Sequence, residues 1–185
     1  MKGMIFRAFI DHVEDAYGLN VADAMIESCN LPTDAAYTTV GTYDVAELVQ
    51  MLGKLTELTN TRIPTVLNQF GEKLFFNLAN SHRGLLGEVN DSFSLISKID
   101  NHIHVEVRKL YPDADLPDFT FESVGPDQLT LTYQSKRGLA DLAEGLLRGC
   151  FAYFKESVEI IREDISGGDS KHVKFTLERS RPNHG

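Results

Sequence analysis

The sequence predicts an α+β fold, a helical N-terminal subdomain followed by an antiparallel sheet with a helix, and three observations carry that reading. Apolar residues recur at helical spacing upstream of Pro112, they alternate with a period of two downstream of it, and the two patterns are segregated along the chain. Segregation argues against a parallel βαβ arrangement, in which the two patterns would interleave. Ile5/Phe6, Phe9/Ile10, Val13 and Tyr17 form a first stripe that stops at Gly18. Val45, Leu48, Val49, Leu52 and Leu55 form a second, introduced by Asp44 with Glu47 three residues on, a capping-box arrangement. Pro64 suits the first turn of a third helix carrying Val66, Leu67, Phe70, Leu74 and Leu78. A fourth runs from about Asp91 to Leu110, with Phe93, Ile96, Ile99, Ile103 and Val107, and closes at Tyr111-Pro112. Downstream, Phe119 and Phe121, a turn at Gly125-Pro126, and Leu129, Leu131 and Tyr133 read as a hairpin. A helix with Leu139, Leu142, Ala143, Leu146, Leu147, Cys150 and Phe154 on its buried face follows. A second hairpin, Val158 to Ile165 and His172 to Glu178, turns at Gly167-Gly168-Asp169.

The 185 residues leave room for one domain, expected to span 1–185 with a helical part to about 111 and a strand-helix-strand part from about 112. A formal charge of −9 disfavours a sequence-independent hold on nucleic acid or on an anionic membrane surface. Residues 1–60 hold three basic and nine acidic side chains, which reads as a solvated acidic face and permits a basic partner. No apolar run approaches the length of a membrane span, and Arg7 and Asp11 interrupt what a signal peptide would keep apolar, so the chain is expected to be cytoplasmic. Cys29 and Cys150 sit in no CxxC pair and read as small buried residues.

No GxSxG, GxGxxG or GxxxxGK(S/T) motif occurs, which disfavours hydrolase and phosphate-loop chemistry. Of the histidines, 12, 82, 102, 104, 172 and 184, none pairs with another as metal ligands on one helix face. His102 and His104 point about 200° apart on a helix. His104 falls on the apolar stripe with Phe93, Val107 and Tyr111. Alone it is more readily a core histidine bonded to a backbone carbonyl than a single axial ligand to a cofactor. In LTYQSKRGL, Tyr133, Ser135 and Arg137 lie two apart and share one side if the strand continues through them. They concentrate a guanidinium and two hydroxyls, donors suited to a group with two carboxylates, although a solvated strand end has the same composition.

Together, the MKG start, FGEKLF at 70–75, HVEVRKLYP from His104, LPDF at 116–119 and YQSKR at 133–137 resemble the heme nitric oxide/oxygen binding (H-NOX) family, related to the heme domain of soluble guanylate cyclase, over essentially the whole chain. The resemblance implies a fold enclosing heme b (iron protoporphyrin IX), with His104 as proximal iron ligand and Tyr133, Ser135 and Arg137 clamping the propionates. Pro117 would pack against the porphyrin and distort it. The distal wall would be Ile5, Phe9, Leu74, Leu78, Leu142 and Leu146. Leu142 stands where oxygen-binding relatives carry a tyrosine, and none of the six donates a hydrogen bond. That implies a nitric oxide sensor, also binding carbon monoxide, that discriminates against oxygen. It is expected to be no enzyme and to signal through loss of the iron–histidine bond and a conformational change. With no output segment left over, the expected partner is a sensor histidine kinase or a diguanylate cyclase/phosphodiesterase. Cys150 alone cannot build the C-terminal zinc site of some relatives. A peroxidase would need a distal acid/base that the wall lacks. A heme-free apolar-ligand or protein-interaction module of the same fold is the alternative.

Overall fold

The computed structural model describes residues 1–81, 84 and 89–180; His82 and His184 lie outside them. Four helices come first: α1 (Gly3–Tyr17), α2 (Leu19–Glu27), α3 (Val45–Thr59) and α4 (Ile63–Ser81). The sequence pattern misses α2, whose only buried residues are Ala22 and Met25. Along α3, Val49 is exposed and Met51 takes its place in the core. Asp44 caps α3 by accepting from the Ala46 amide, but Glu47 does not complete the expected reciprocal box. Its buried carboxylate turns instead to the connecting loop, accepting from the Thr33 hydroxyl at 2.6 Å and the Tyr37 hydroxyl at 3.0 Å. Burial and Glu47 together push the Tyr37 phenol up to about 12.

The expected fourth helix is three pieces. A short helix α5 (Ser92–Ile96) gives way after Ser97 to a π-turn (Ile99–Ile103) and then α6 (His104–Leu110). The Ile103 amide donates to the Lys98 carbonyl and that of His104 to Ile99, each five residues back. The wider turn adds a residue, so the helical phase linking Phe93 to His104 does not carry across it. Both are buried all the same. The start of this segment is fixed by charge. Asp91 caps α5 at the Ser94 amide and pairs with Arg179, which also meets Glu156 and lies over the Phe93 ring, while Glu156 accepts from the amide and hydroxyl of Ser92.

Beyond it, β1 (Asp118–Gly125) and β2 (Gln128–Gln134) form the first hairpin, α7 (Ala140–Phe154) follows, and β3 (Val158–Asp164) and β4 (His172–Arg179) form the second. The hairpins join through β2 and β4 into one antiparallel sheet, order β1-β2-β4-β3. Phe119 pairs with Tyr133 and Leu131 with Phe175, so alternate side chains collect on one face. The chain is therefore α+β, with helices first and an antiparallel sheet with a helix after.

Helix α7 has two buried faces. Leu139, just before it, and Leu142 and Leu146 pack with α1, α3 and α4; Ala143, Leu147, Cys150 and Phe151 pack on the sheet. Its approach to α4 is close because both helices lack side chains at the crossing. A Cβ on Gly145 would stand 2.3 Å from the Asn68 carbonyl oxygen, and one on Gly71 would stand 2.5 Å from that of Leu142. Neither obstacle is a flexible side-chain tip, so helix backbone would have to move. Gly145→Ala should therefore lower stability by about 1–3 kcal/mol in denaturant unfolding, against the small gain alanine brings to an ordinary helix position.

Candidate functional site

His104 sits at the junction of the π-turn and α6 and is the one buried residue of α6. Its Nδ1 lies 3.0 Å from Asp100 Oδ1, one turn earlier, and its ring packs against Phe119 of β1 with centroids 5.7 Å apart. The partner is a carboxylate, not the backbone carbonyl that a plain core histidine would use. A carboxylate only accepts, so Nδ1 carries the hydrogen and Nε2 keeps its lone pair. Burial pushes the imidazole below its usual range, and Asp100 pulls the other way. His102 is exposed, as the helical spacing requires.

Phe119 continues the path to the second group, with its ring 5.7 Å from that of Tyr133. Tyr133 is buried, and its hydroxyl accepts from the Leu139 amide at 3.2 Å, tying β2 to the start of α7. Burial raises its phenol, offset in part by the Ser135 hydroxyl, the Leu139 amide and the charge of Arg137. The strand does not run on through Arg137 as alternation assumes. Regular pairing of β2 ends at Gln134, the Ser135 amide makes one more bond to the Lys171 carbonyl, and the chain turns at Lys136-Arg137. The Ser135 hydroxyl accepts from the Arg137 amide at 3.3 Å, so a turn, not pleat periodicity, brings the three donors together. Gly138, at φ +63°, completes it, where a Cβ would meet the Asp169 carbonyl at 2.5 Å.

Arg137 already grips a carboxylate. One guanidinium nitrogen donates to the Asp115 carbonyl at 2.6 Å and the other to Asp115 Oδ2 at 2.7 Å. The Asp115 side chain is 78% exposed, so it holds the arginine at the surface with a pair of small net worth. Neither Asp100 nor Asp115 figured in the sequence reading. The spacing of Asp100, four residues before His104, was visible as a helical neighbour. Asp115 is brought in only by the fold. Pro117, half-buried, stands directly before β1 and two residues from Phe119.

The third group is apolar. Phe9, Leu74 and Leu142 are buried members of the N-terminal cluster, and Ile5, Leu78 and Leu146 pack against it partly buried, so helices α1, α4 and α7 bring all six together. Phe9 meets Phe70 edge-on at 5.3 Å. Leu139, whose amide binds Tyr133, belongs to the same cluster, which joins the apolar group to the donor group. An imidazole with a directed lone pair, a guanidinium already bonded to one carboxylate oxygen, two hydroxyls and an apolar cluster fit a flat apolar group bearing a metal and two carboxylates.

A family model described as haem-NO-binding matches residues 2–162. No curated protein matches. Among solved structures, the Fe(II) unliganded H-NOX protein of K. algicida is 38% identical with a TM-score of 0.93 over 100% of both chains. The H-NOX of Shewanella woodyi, in an Fe(II)CO state bound to IWP-051, is 42% identical with a TM-score of 0.83, covering 100% of this chain and 99% of that one. The H-NOX protein of S. oneidensis in the Fe(II)NO state is 30% identical with a TM-score of 0.90, covering 98% of this chain and 100% of that one. No helix among the described residues is long and apolar enough to cross a membrane. The chain belongs to the H-NOX family of heme-based gas sensors.

Proposed function

We propose that this chain binds heme b and senses nitric oxide while discriminating against oxygen, and that a separate signalling protein reads its conformation. The observation that carries the selectivity is the apolar cluster: Ile5, Phe9, Leu74, Leu78, Leu142 and Leu146 include no side-chain hydrogen-bond donor. Oxygen binding to ferrous heme gains from a donor in the pocket, whereas nitric oxide and carbon monoxide do not depend on one. The S. oneidensis and S. woodyi relatives were solved in Fe(II)NO and Fe(II)CO states, which supports diatomic gases as the ligands here.

When bound, heme supplies the iron at which a gas is held. In this reading His104 holds the iron through Nε2, the nitrogen that Asp100 leaves available. Tyr133, Ser135 and Arg137 hold the propionates, with Arg137 exchanging the exposed Asp115 carboxylate for a ligand carboxylate. Pro117 packs against the macrocycle ahead of Phe119. His104 would couple the iron to α6, a helix that buries no other residue, so a change in that bond would bias the position of α6. The chain performs no catalysis in this reading. Its output partner is a sensor histidine kinase or a diguanylate cyclase/phosphodiesterase.

Three outcomes test the reading. His104→Gly should lose heme unless imidazole is supplied, and full Soret absorbance in the unsupplemented variant would remove His104 as the iron ligand. Arg137→Ala should release heme faster than the parent and faster than Ser135→Ala, because it loses charge-assisted bonds of roughly 1.5–3 kcal/mol; equal dissociation rates would return the Tyr-x-Ser-x-Arg turn to a solvated strand end. The reduced parent protein should change its spectrum under nitric oxide and carbon monoxide and not under air. A stable change in air would contradict the apolar wall, and Leu74→Asn with Leu142→Tyr, which supplies a phenol and an amide to orient it, should introduce that change.

A further inference from the structure

We infer that Asp100 is the positioning residue that sets the strength of the bond His104 makes to iron, and hence how readily nitric oxide breaks it. The inference deepens the proposed function and rests on His104 being the ligand. Three features of the structure carry it.

The first is the identity and distance of the partner. The Asp100 carboxylate lies 3.0 Å from Nδ1 and accepts the ring's N–H. An acceptor of that charge fixes the tautomer, orients the ring and raises the basicity of Nε2 toward a metal, more strongly than a neutral carbonyl would. The second is backbone register. Asp100 belongs to the π-turn, where the His104 amide bonds to the Ile99 carbonyl, and this wide turn presents a carboxylate from four residues back to the ring. The third is the lack of other anchors. Phe119 supports one side of the ring, and α6 buries nothing else, so Asp100 supplies the polar hold on the imidazole. The other charges acting on the ring are Arg108 of α6 and Asp118 at the start of β1.

A pulling carboxylate strengthens the iron–histidine bond, and a stronger bond opposes release. Asp100 would thus hold the sensor against firing by making His104 a better donor. Asp100→Asn keeps an acceptor of the same shape and removes the charge; Asp100→Ala removes both. The Asp100 side chain is 32% exposed, so neither substitution opens a core cavity.

The test is resonance Raman spectroscopy of the full chain loaded with ferrous heme. The iron–histidine stretching band should move to lower wavenumber in Asp100→Asn, and further, with broadening, in Asp100→Ala as the ring loses its orientation. Heme loss should quicken about tenfold in Asp100→Ala, with part of that effect recovered in Asp100→Asn. The fraction of protein whose iron–histidine band disappears at subsaturating nitric oxide should rise in the same order. An unmoved band in both variants would overturn the role of Asp100. A band that survives in His104→Gly would instead overturn the ligand assignment itself, so the two failures are distinguishable.

Discussion

The close crossing of α4 and α7 is the constraint on which the site depends. Gly71 and Gly145 bring the two helices to backbone contact, and Gly149 extends the seam, where a Cβ would stand 2.7 Å from Phe75 Cβ and 2.8 Å from the Glu72 carbonyl oxygen. Because the helices meet there, Leu74 and Leu78 from one and Leu142 and Leu146 from the other enter a single cluster. The same helix turns Ala143, Leu147 and Phe151 to the sheet. A shift of α7 by the width of a methyl group would alter the apolar wall and the sheet packing together, since tightly packed interfaces transmit small displacements.

Much of this architecture was legible in the sequence because it rests on local periodicity. Both hairpins and α7 follow from alternation, turn residues and a helical stripe that single-sequence patterns encode directly. The joining of the hairpins through β2 and β4 depends on long-range pairing that no local pattern records. The breaks near His104 were hidden for a different reason: a π-turn changes helical phase without any special residue to announce it. Glu47 shows a third way in which a local signal fails. Its spacing from Asp44 is that of a capping box, yet the Thr33 hydroxyl and the buried Tyr37 hydroxyl take its carboxylate in place of a helix amide.

The site itself divides in the same manner. His104, Tyr133, Ser135 and Arg137 were legible as residue types with suitable chemistry, and the structure brings the last three together by a turn where strand alternation was expected. Asp115, by contrast, reaches Arg137 from 22 residues away, through a connection whose path is decided by tertiary packing. The six apolar residues were found because they lie on helix faces, although pocket lining and core packing share one signature in sequence. The fold groups them into one cluster and joins that cluster to the donor group through the Leu139 amide and the Tyr133 hydroxyl.

Polarity is unequally distributed around this centre, and so is mechanical support. The apolar side is built from long helices with many buried residues, and the Tyr133 side is anchored in a four-stranded sheet. Helix α6 is seven residues long, with Val105 and Leu110 exposed and His104 alone buried. Local stability follows buried apolar contact, so α6 is among the elements least held by packing, and what holds its histidine end are the π-turn, Asp100 and Phe119. The upstream end of the same segment is fixed by the charged network of Asp91, Glu156 and Arg179. A ligand at His104 would therefore act on an element clamped at one end and weakly packed at the other. Under the proposed function, making or breaking that bond would bias a short helix beside a sheet held by its own strand pairing, the mechanical asymmetry such sensing requires.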